Sequence, residues 1–187
     1  ASPNVQFWLS PCGRVEPGHI THQRVSERTM HFGNEYPVSS QSNPELHRQS
    51  TAIAAWLASI GVRGFVGLDF IDTYANGMRF VEVNARANGS TYASAIVLRV
   101  NQVRTSIGCR TIPAWSMRKR LPVRISSFRG LVERASDLIY DHSKRAGVIP
   151  YWTGELQSGF CNYVTVAEDA GQLRELEAAF TNAVGTP

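Results

Sequence analysis

Residues 67–90, GLDFIDTYANGMRFVEVNARANGS, place one carboxylate, Asp69, in a first apolar run and a second, Glu82, in the next. The polar series Asn84, Arg86 and Asn88 follows. Both runs read as strands joined through TYANG, whose Asn-Gly pair is a strong hairpin signal. Gly64 and Gly67 interrupt the first run, as a bulge or a close approach of backbone would require. Centring the turn so that Asp72 opposes Arg79 makes Asp69 oppose Glu82. Facing residues project to one side of a sheet with β-carbons about 5 Å apart. Two carboxylates held that close repel unless positive charge lies between them. Alternation adds Asn84 to the face of Glu82 and turns Val81 and Val83 toward the core. Asp69, Glu82 and Asn84 then form an all-oxygen cluster, the ligand chemistry of Mg²⁺ or Mn²⁺ bridging phosphate groups. The alternative is a solvated hairpin face, since antiparallel sheets often leave one side polar.

Outward from this hairpin, NVQFWLS and GRVEPGHITHQRV read as two earlier strands around a turn holding Pro11 and Gly13. After the polar loop PVSSQSN, Asn43 stands as N-cap and Pro44 at the first position of a helix over 44–60. Leu46, Ile53, Trp56, Leu57 and Ile60 supply its apolar face, and Gly61 sits where a left-handed residue ends it. A second helix over 90–105 begins at a Ser90 cap and buries Ala95, Ile96, Val100 and Val103. A loop with Gly108 and Pro113 follows. The last third is a small α/β unit: a helix over 130–146, strands GVIPYW and FCNYVTVA, and a final helix capped by Asp169 with Leu173, Leu176, Phe180 and Val184 on one face.

With 187 residues, 43% of them hydrophobic and 18% charged, the chain can build a core, and no stretch approaches the roughly 20 apolar residues that span a bilayer. No basic segment followed by an apolar one opens the sequence, so a cytoplasmic location is expected. Cys12, Cys109 and Cys161 are odd in number and far apart, which reads as free thiols. The net charge of +4 suits an anionic ligand, but only Arg118–Lys119–Arg120 clusters, and it reads as solvated surface rather than a nucleic-acid patch. His19 and His22, three apart on a strand, point to opposite faces and make no metal pair. Gln23 is expected to play a structural part, and Tyr151 and Trp152 to pack or to line a peptide channel.

GVRGFVGLDF, followed by VEVNARANGST, resembles the ATP-grasp superfamily of carboxylate-amine ligases in its Gly-x-Asp strand, turn and Glu-x-Asn strand continued as Asn-x-Arg. The match is tight over residues 60–95 and loose over 1–105. It implies an α+β fold: a C-terminal metal-binding lobe, an antiparallel sheet with packed helices, over residues 1–105, then a small α/β extension over 106–187. It also implies ATP as co-substrate, with Asp69, Glu82 and Asn84 holding Mg²⁺ or Mn²⁺ on its phosphates. Arg86 would meet the transferring phosphoryl group or a substrate carboxylate, and Asn88, Gly89, Ser90 and Thr91 would lie along the substrate. In such enzymes a carboxylate takes the γ-phosphoryl group of ATP, and an amine then displaces phosphate to form an amide. NARANGSTYA and GVIPYWTGELQSGF look most like peptide ligases of natural-product pathways, similar to the pheganomycin ligase type.

Two departures stand out. Ala85 occupies the place where many members have proline, and the chain's two lysines, Lys119 and Lys144, both follow the metal motif. An N-terminal half with ATP-gripping lysines is therefore expected to precede these residues in a longer enzyme, and members of the superfamily are often dimers. The expected partners are a small molecule or peptide with a free carboxylate and an amine co-substrate, with no nucleic acid and no membrane. Arg86 pairing with an acid, a plain turn and cap at 88–91, and a catalytically silent module used for assembly are the competing readings. The same fold would also serve a carboxylase or a thiol ligase.

Overall fold

The computed structural model describes residues 1–26, 30–38, 43–73 and 77–186, so the predicted turn at TYANG and most of the loop before the first helix lie outside the described residues. The chain divides into two compact units, Ala1–Ser94 and Ala95–Pro187. The first contains β1 (Pro3–Leu9), β2 (Val15–Val25), β3 (His31–Tyr36), α1 (Pro44–Ser59), β4 (Gly64–Thr73) and β5 (Gly77–Asn84). Its strands lie side by side in the order β5-β4-β1-β2-β3, all antiparallel. The hairpin of β1 and β2 is the expected one. Strand β3, HFGNEY, went unassigned because Gly, Asn and Glu are poor strand formers; pairing of Gln23 with Asn34 and His22 with Glu35 overrides that preference.

Helix α1 begins as expected: Asn43 Oδ1 accepts the N–H groups of Glu45 at 3.0 Å and Leu46 at 3.1 Å, and Pro44 follows the cap. Gly61, at φ 93°, ends it in the left-handed region. Its buried stripe is Leu46, Ser50, Ala54, Leu57 and Ala58. Trp56, expected in the core, is 59% exposed, and Ile60 is exposed as well. At 100° per residue Trp56 stands about 120° from the centre of that stripe, which is set by the small Ala54 and Ala58 rather than by the larger apolar side chains. The stripe packs on Val66, Leu68 and Phe70 of β4 and Val5 and Phe7 of β1. This face of the sheet carries the unit's apolar core.

Helix α2 (Gly89–Ser106) begins in the first unit and ends in the second. It buries Ala93, Val97, Val100 and Arg104, while Ala95, expected inside, is exposed. Arg104 donates to the carbonyls of Arg110 at 2.7 Å and Lys144 at 3.0 Å. The second unit continues with β6 (Ala114–Pro122), α3 (Phe128–Arg134), β7 (Gly147–Tyr151), a 3-10 turn (Thr153–Ser158), β8 (Phe160–Ala167) and α4 (Ala170–Val184). Strand β8 pairs antiparallel with β6 on one side and β7 on the other.

Strand β6, unassigned from sequence, carries the basic cluster. The guanidinium of Arg120 lies 4.1 Å from the centre of the Phe160 ring, and Arg118 and Lys119 are only partly exposed. The helix expected over 130–146 stops at Arg134: the chain turns to pair beside Val148, which donates to the Leu138 carbonyl at 2.8 Å and accepts from the Tyr140 N–H at 2.9 Å. Asp141 Oδ1 then accepts the N–H groups of Ser143 at 2.8 Å and Lys144 at 3.2 Å in a second turn. Helix α4 is capped by Asp169 as expected and sets Phe180 against Tyr163, ring centres 4.8 Å apart. All three cysteines are free, and burial pushes the Cys161 thiol up to about 12. Among the described residues no helix is long and apolar enough to cross a membrane.

Candidate functional site

The ladder between β4 and β5 puts Gly67 opposite Asn84, Leu68 opposite Val83 and Asp69 opposite Glu82, so the two carboxylates face each other as expected. Beyond them the register slips by one, and Asp72 faces Met78 while Arg79 faces Ile71, not Asp72. Val81 is the additional residue, a bulge that restores alternation on both faces. Phe80 stays on the core face with Phe70, ring centres 5.6 Å apart, and Glu82 stays with Asp69. Val81 and Val83, expected in the core, are 51% and 37% exposed. The unit's core takes Met78 from β5 and ends there, because β5 is the last strand in the order.

Around the pair the donors are amides. Asn84 Nδ2 donates to Asp69 Oδ2 at 3.1 Å and to Glu82 Oε1 at 2.8 Å, and Asn4 Nδ2 donates to Asp69 Oδ1. Burial holds the Asp69 carboxyl above its ordinary range, and the Glu82 carboxylate adds to that rise against the donors of Asn4 and Gln23. Arg86 is exposed and touches neither acid; it donates to Asn84 Oδ1 at 3.1 Å and to the Ala87 carbonyl at 3.3 Å. Gln23, read from sequence as structural, accepts from Ser2 Oγ at 3.1 Å and also reaches Asp69.

Residues 88–91 form the start of α2, and its cap is Asn88 rather than Ser90. Asn88 Oδ1 accepts the Thr91 N–H at 3.3 Å and Thr91 Oγ1 accepts the Asn88 N–H at 3.1 Å, a reciprocal pair of the capping-box kind. Ser90, 2% exposed, faces the sheet and shares a hydrogen bond with Thr21 Oγ1 at 3.1 Å, which in turn accepts from Asn34 Nδ2 at 3.1 Å. Thr91 Oγ1 donates to Gln6 Oε1 at 2.6 Å. Sequence reasoning missed Asn4, Gln6, Thr21 and Asn34, all buried on this face. The signal was there: Asn4 and Gln6 alternate with apolar residues in β1, which puts both amides on one face.

Gly67 lies beneath these groups. A Cβ there would collide with the Asn88 amide and come within 2.8 Å of Gln6 Nε2. The space it leaves is filled by side-chain amides. Gly67→Ala is therefore expected to destabilise the chain by about 1–3 kcal/mol through overpacking, read as a lowered urea midpoint with an unchanged slope; an unchanged midpoint would show that the amides can move aside.

The donor set fits a divalent cation carrying phosphates. Mg²⁺ is commonly held by one or two carboxylates, with water and substrate phosphates completing its shell. Asp69 and Glu82 supply two carboxylates, and the side chain that bridges them, Asn84, is a neutral amide. Among the described residues no group of three or more His, Cys, Asp and Glu could hold a metal ion by itself.

A family model described as PGM1 C-terminal domain matches residues 131–180. The L-propargylglycine–L-glutamate ligase of Streptantibioticus cattleyicolor is 29% identical over 154 residues, which cover 76% of this chain and 32% of that protein. Among solved structures, the biotin carboxylase of Campylobacter jejuni in a β,γ-ATP complex matches with a TM-score of 0.65 at 15% identity over 98% of this chain and 45% of its own. The N5-carboxyaminoimidazole ribonucleotide synthetase of Thermus thermophilus matches with 0.65 at 13% identity, over 100% of this chain and 51% of its own. The chain spans about a third of that curated relative and about half of those structures. The two solved structures share this α+β fold, and the likeness to a curated ligase accords with the resemblance read from residues 60–95.

Proposed function

We propose that this chain is the metal-bearing portion of an ATP-dependent ligase that joins a carboxylate to an amine through an acyl phosphate. The observation that carries this reading is the Asp69–Glu82 pair, face to face across two strands and bridged by the neutral Asn84 amide. Two carboxylates so placed repel unless a cation or a shared proton lies between them. In this reading residues 1–105 form the lobe, 106–187 extend it, and the nucleotide is completed by residues of the longer enzyme, working in the cytoplasm where ATP is supplied. A bound Mg²⁺ or Mn²⁺ would neutralise charge on the transferring oxygens.

The chain's own residues divide the remaining tasks. Asp69, Glu82 and Asn84 would supply the oxygen ligands; Asn84 Oδ1 now accepts from Arg86 at 3.1 Å. Arg86, exposed and held only by Asn84 and Ala87, is free to offer its planar fork to a phosphoryl group or a substrate carboxylate. The backbone N–H groups of Gly89 and Ser90, in the first turn of α2, have no intrahelical acceptor and would be open to an anion. Ser90 and Thr91 would act through backbone and packing, because both hydroxyls are occupied and buried. The name of the curated relative, a ligase of two amino acids, favours an amino-acid or peptide substrate.

Thermal unfolding with ATP and excess Mg²⁺ tests the reading. A ligand at about 100 times its Kd stabilises by roughly 2.7 kcal/mol, a rise of roughly 5–10 °C for a chain of this size. The rise is expected to vanish with EDTA and in Glu82→Ala. A rise that persists in Glu82→Ala would place the nucleotide elsewhere, and no rise in the complete enzyme would favour the silent module.

A further inference from the structure

The Asp69 carboxylate is the end point of a buried chain of side chains that starts at the first turn of α2. The N–H of Asn88 donates to Thr91 Oγ1 at 3.1 Å, and Thr91 Oγ1 donates to Gln6 Oε1 at 2.6 Å. Gln6 Nε2 donates to Asn4 Oδ1, and Asn4 Nδ2 donates to Asp69 Oδ1. Gln6 Nε2 also reaches Asn88 Oδ1 at 3.2 Å, which closes a loop back to the cap. Asn4, Gln6 and Thr91 are 1%, 5% and 8% exposed, so water offers no substitute partners along the way.

The chemistry at its two ends fixes the direction of every bond. A carboxylate only accepts, so Asn4 must turn its NH₂ to Asp69, which leaves its carbonyl facing Gln6 and obliges Gln6 to donate. The Gln6 carbonyl then faces Thr91, whose oxygen already accepts from the Asn88 backbone and has its own proton to give. Neither amide can flip without setting two acceptors against each other. The glycine at 67 is what lets this chain pass over β4.

We infer that Gln6 and Asn4 are positioning residues for the metal carboxylate: they lock one Asp69 oxygen and leave the other edge of the group aimed at Glu82. The inference rests on the proposed metal-binding role of Asp69 and Glu82. It also gives β1 a part in the site, although no β1 residue touches the cation.

The test titrates Mn²⁺ into the 187-residue chain, reads free ion by electron paramagnetic resonance, and follows the Asn4 side-chain amide by NMR. Gln6→Glu keeps the acceptor for Thr91 and loses the donor to Asn4. It is expected to weaken Mn²⁺ binding roughly 10–100-fold, the usual cost of losing a partner that orients a ligand, and to release the Asn4 amide into fast hydrogen exchange. Thr21→Val removes hydrogen bonds on the same buried face, to Ser90 and Asn34, without touching the path to Asp69. It should lower the melting temperature and leave Mn²⁺ affinity within about twofold, well below the effect of losing an orienting partner. Equal weakening in both variants would reduce the chain to general packing and overturn the inference. So would wild-type affinity in Gln6→Glu while Glu82→Gln loses the ion, or an Asn4 amide that already exchanges freely. Failure of the wild type itself to bind Mn²⁺ better than Glu82→Gln would instead sink the metal reading, and the inference with it.

Discussion

Glu82→Gln is expected to reduce ATP-dependent turnover of the complete enzyme by about 10²–10⁴-fold, the equivalent of the several kcal/mol that a bound cation contributes to transition-state charge, while the protein melts no lower than the parent. The two parts of this result have one cause. Glutamine keeps the shape of glutamate and can still accept from Asn84 Nδ2, which now sits 2.8 Å from Glu82 Oε1. What disappears is the negative charge opposite Asp69, and that charge raises the Asp69 carboxyl together with its burial. A group raised in the folded state favours folding in its protonated form, so its ionised form works against the fold. Removing the neighbouring charge relieves that opposition. A structural carboxylate would behave in the opposite way, since its loss would cost stability. Turnover within about tenfold of the parent, far short of a cation's several kcal/mol, would exclude Glu82 from the metal shell; a clear fall in melting temperature with activity retained would make the pair a structural feature of the hairpin.

The site was legible in sequence to the extent that it depends on strand alternation. Asp69 and Glu82 face each other because two residues of opposite register determine a whole ladder, and the bulge at Val81 begins only after that pair. The slip itself was not legible. A bulge adds one residue without a composition signal, and its effect, Arg79 beside Ile71 instead of Asp72, lies on the far side of the pair. Helix α1 was readable at its ends, where Asn43, Pro44 and Gly61 each do something the backbone needs, and less so along its face. There, alanines decide which side approaches the sheet and Trp56 is left outside. Burial of Val81 and Val83 could not be read, because alternation says which way a side chain points and not whether anything covers it.

The polar side of β1 is the more instructive miss. Asn4 and Gln6 sit among apolar residues in a strand that reads as half buried, and such positions are usually taken to face solvent. They are inside because α2 begins on top of them with its own hydroxyls and amides, and that contact joins residues more than 80 positions apart, Gln6 with Asn88 and Thr91. Local pattern carries no record of such a pairing. The same limit hid β6 and β3, whose side chains favour strands weakly and whose partners, β8 and β2, supply the pairing.

Phe70→Ala is expected to cost about 3–5 kcal/mol of stability, the usual range for a fully buried aromatic cut back to a methyl group. Phe70 is 0% exposed, stands next to Asp69 in β4, and points the other way, into the cluster formed with Leu46, Leu57 and Met78. Its ring meets Phe80 edge to face, a contact that the slip at Val81 makes possible. Truncation opens a cavity in the cluster to which α1 contributes Leu46, Ala54, Leu57 and Ala58. Urea unfolding should show the loss as a lowered midpoint with nearly unchanged slope. Below the transition the Asp69–Glu82 pair keeps its partners on the opposite face, so Mn²⁺ affinity per folded molecule should be retained. Phe70→Ala and Glu82→Gln thus pull in opposite senses from adjacent strands: one lowers stability and spares the acidic pair, the other removes one of its charges and spares stability. A loss below about 1 kcal/mol for Phe70→Ala, far under the cost of a fully buried ring, would mean that the inner face of β4 is not the core on which the acidic pair is mounted.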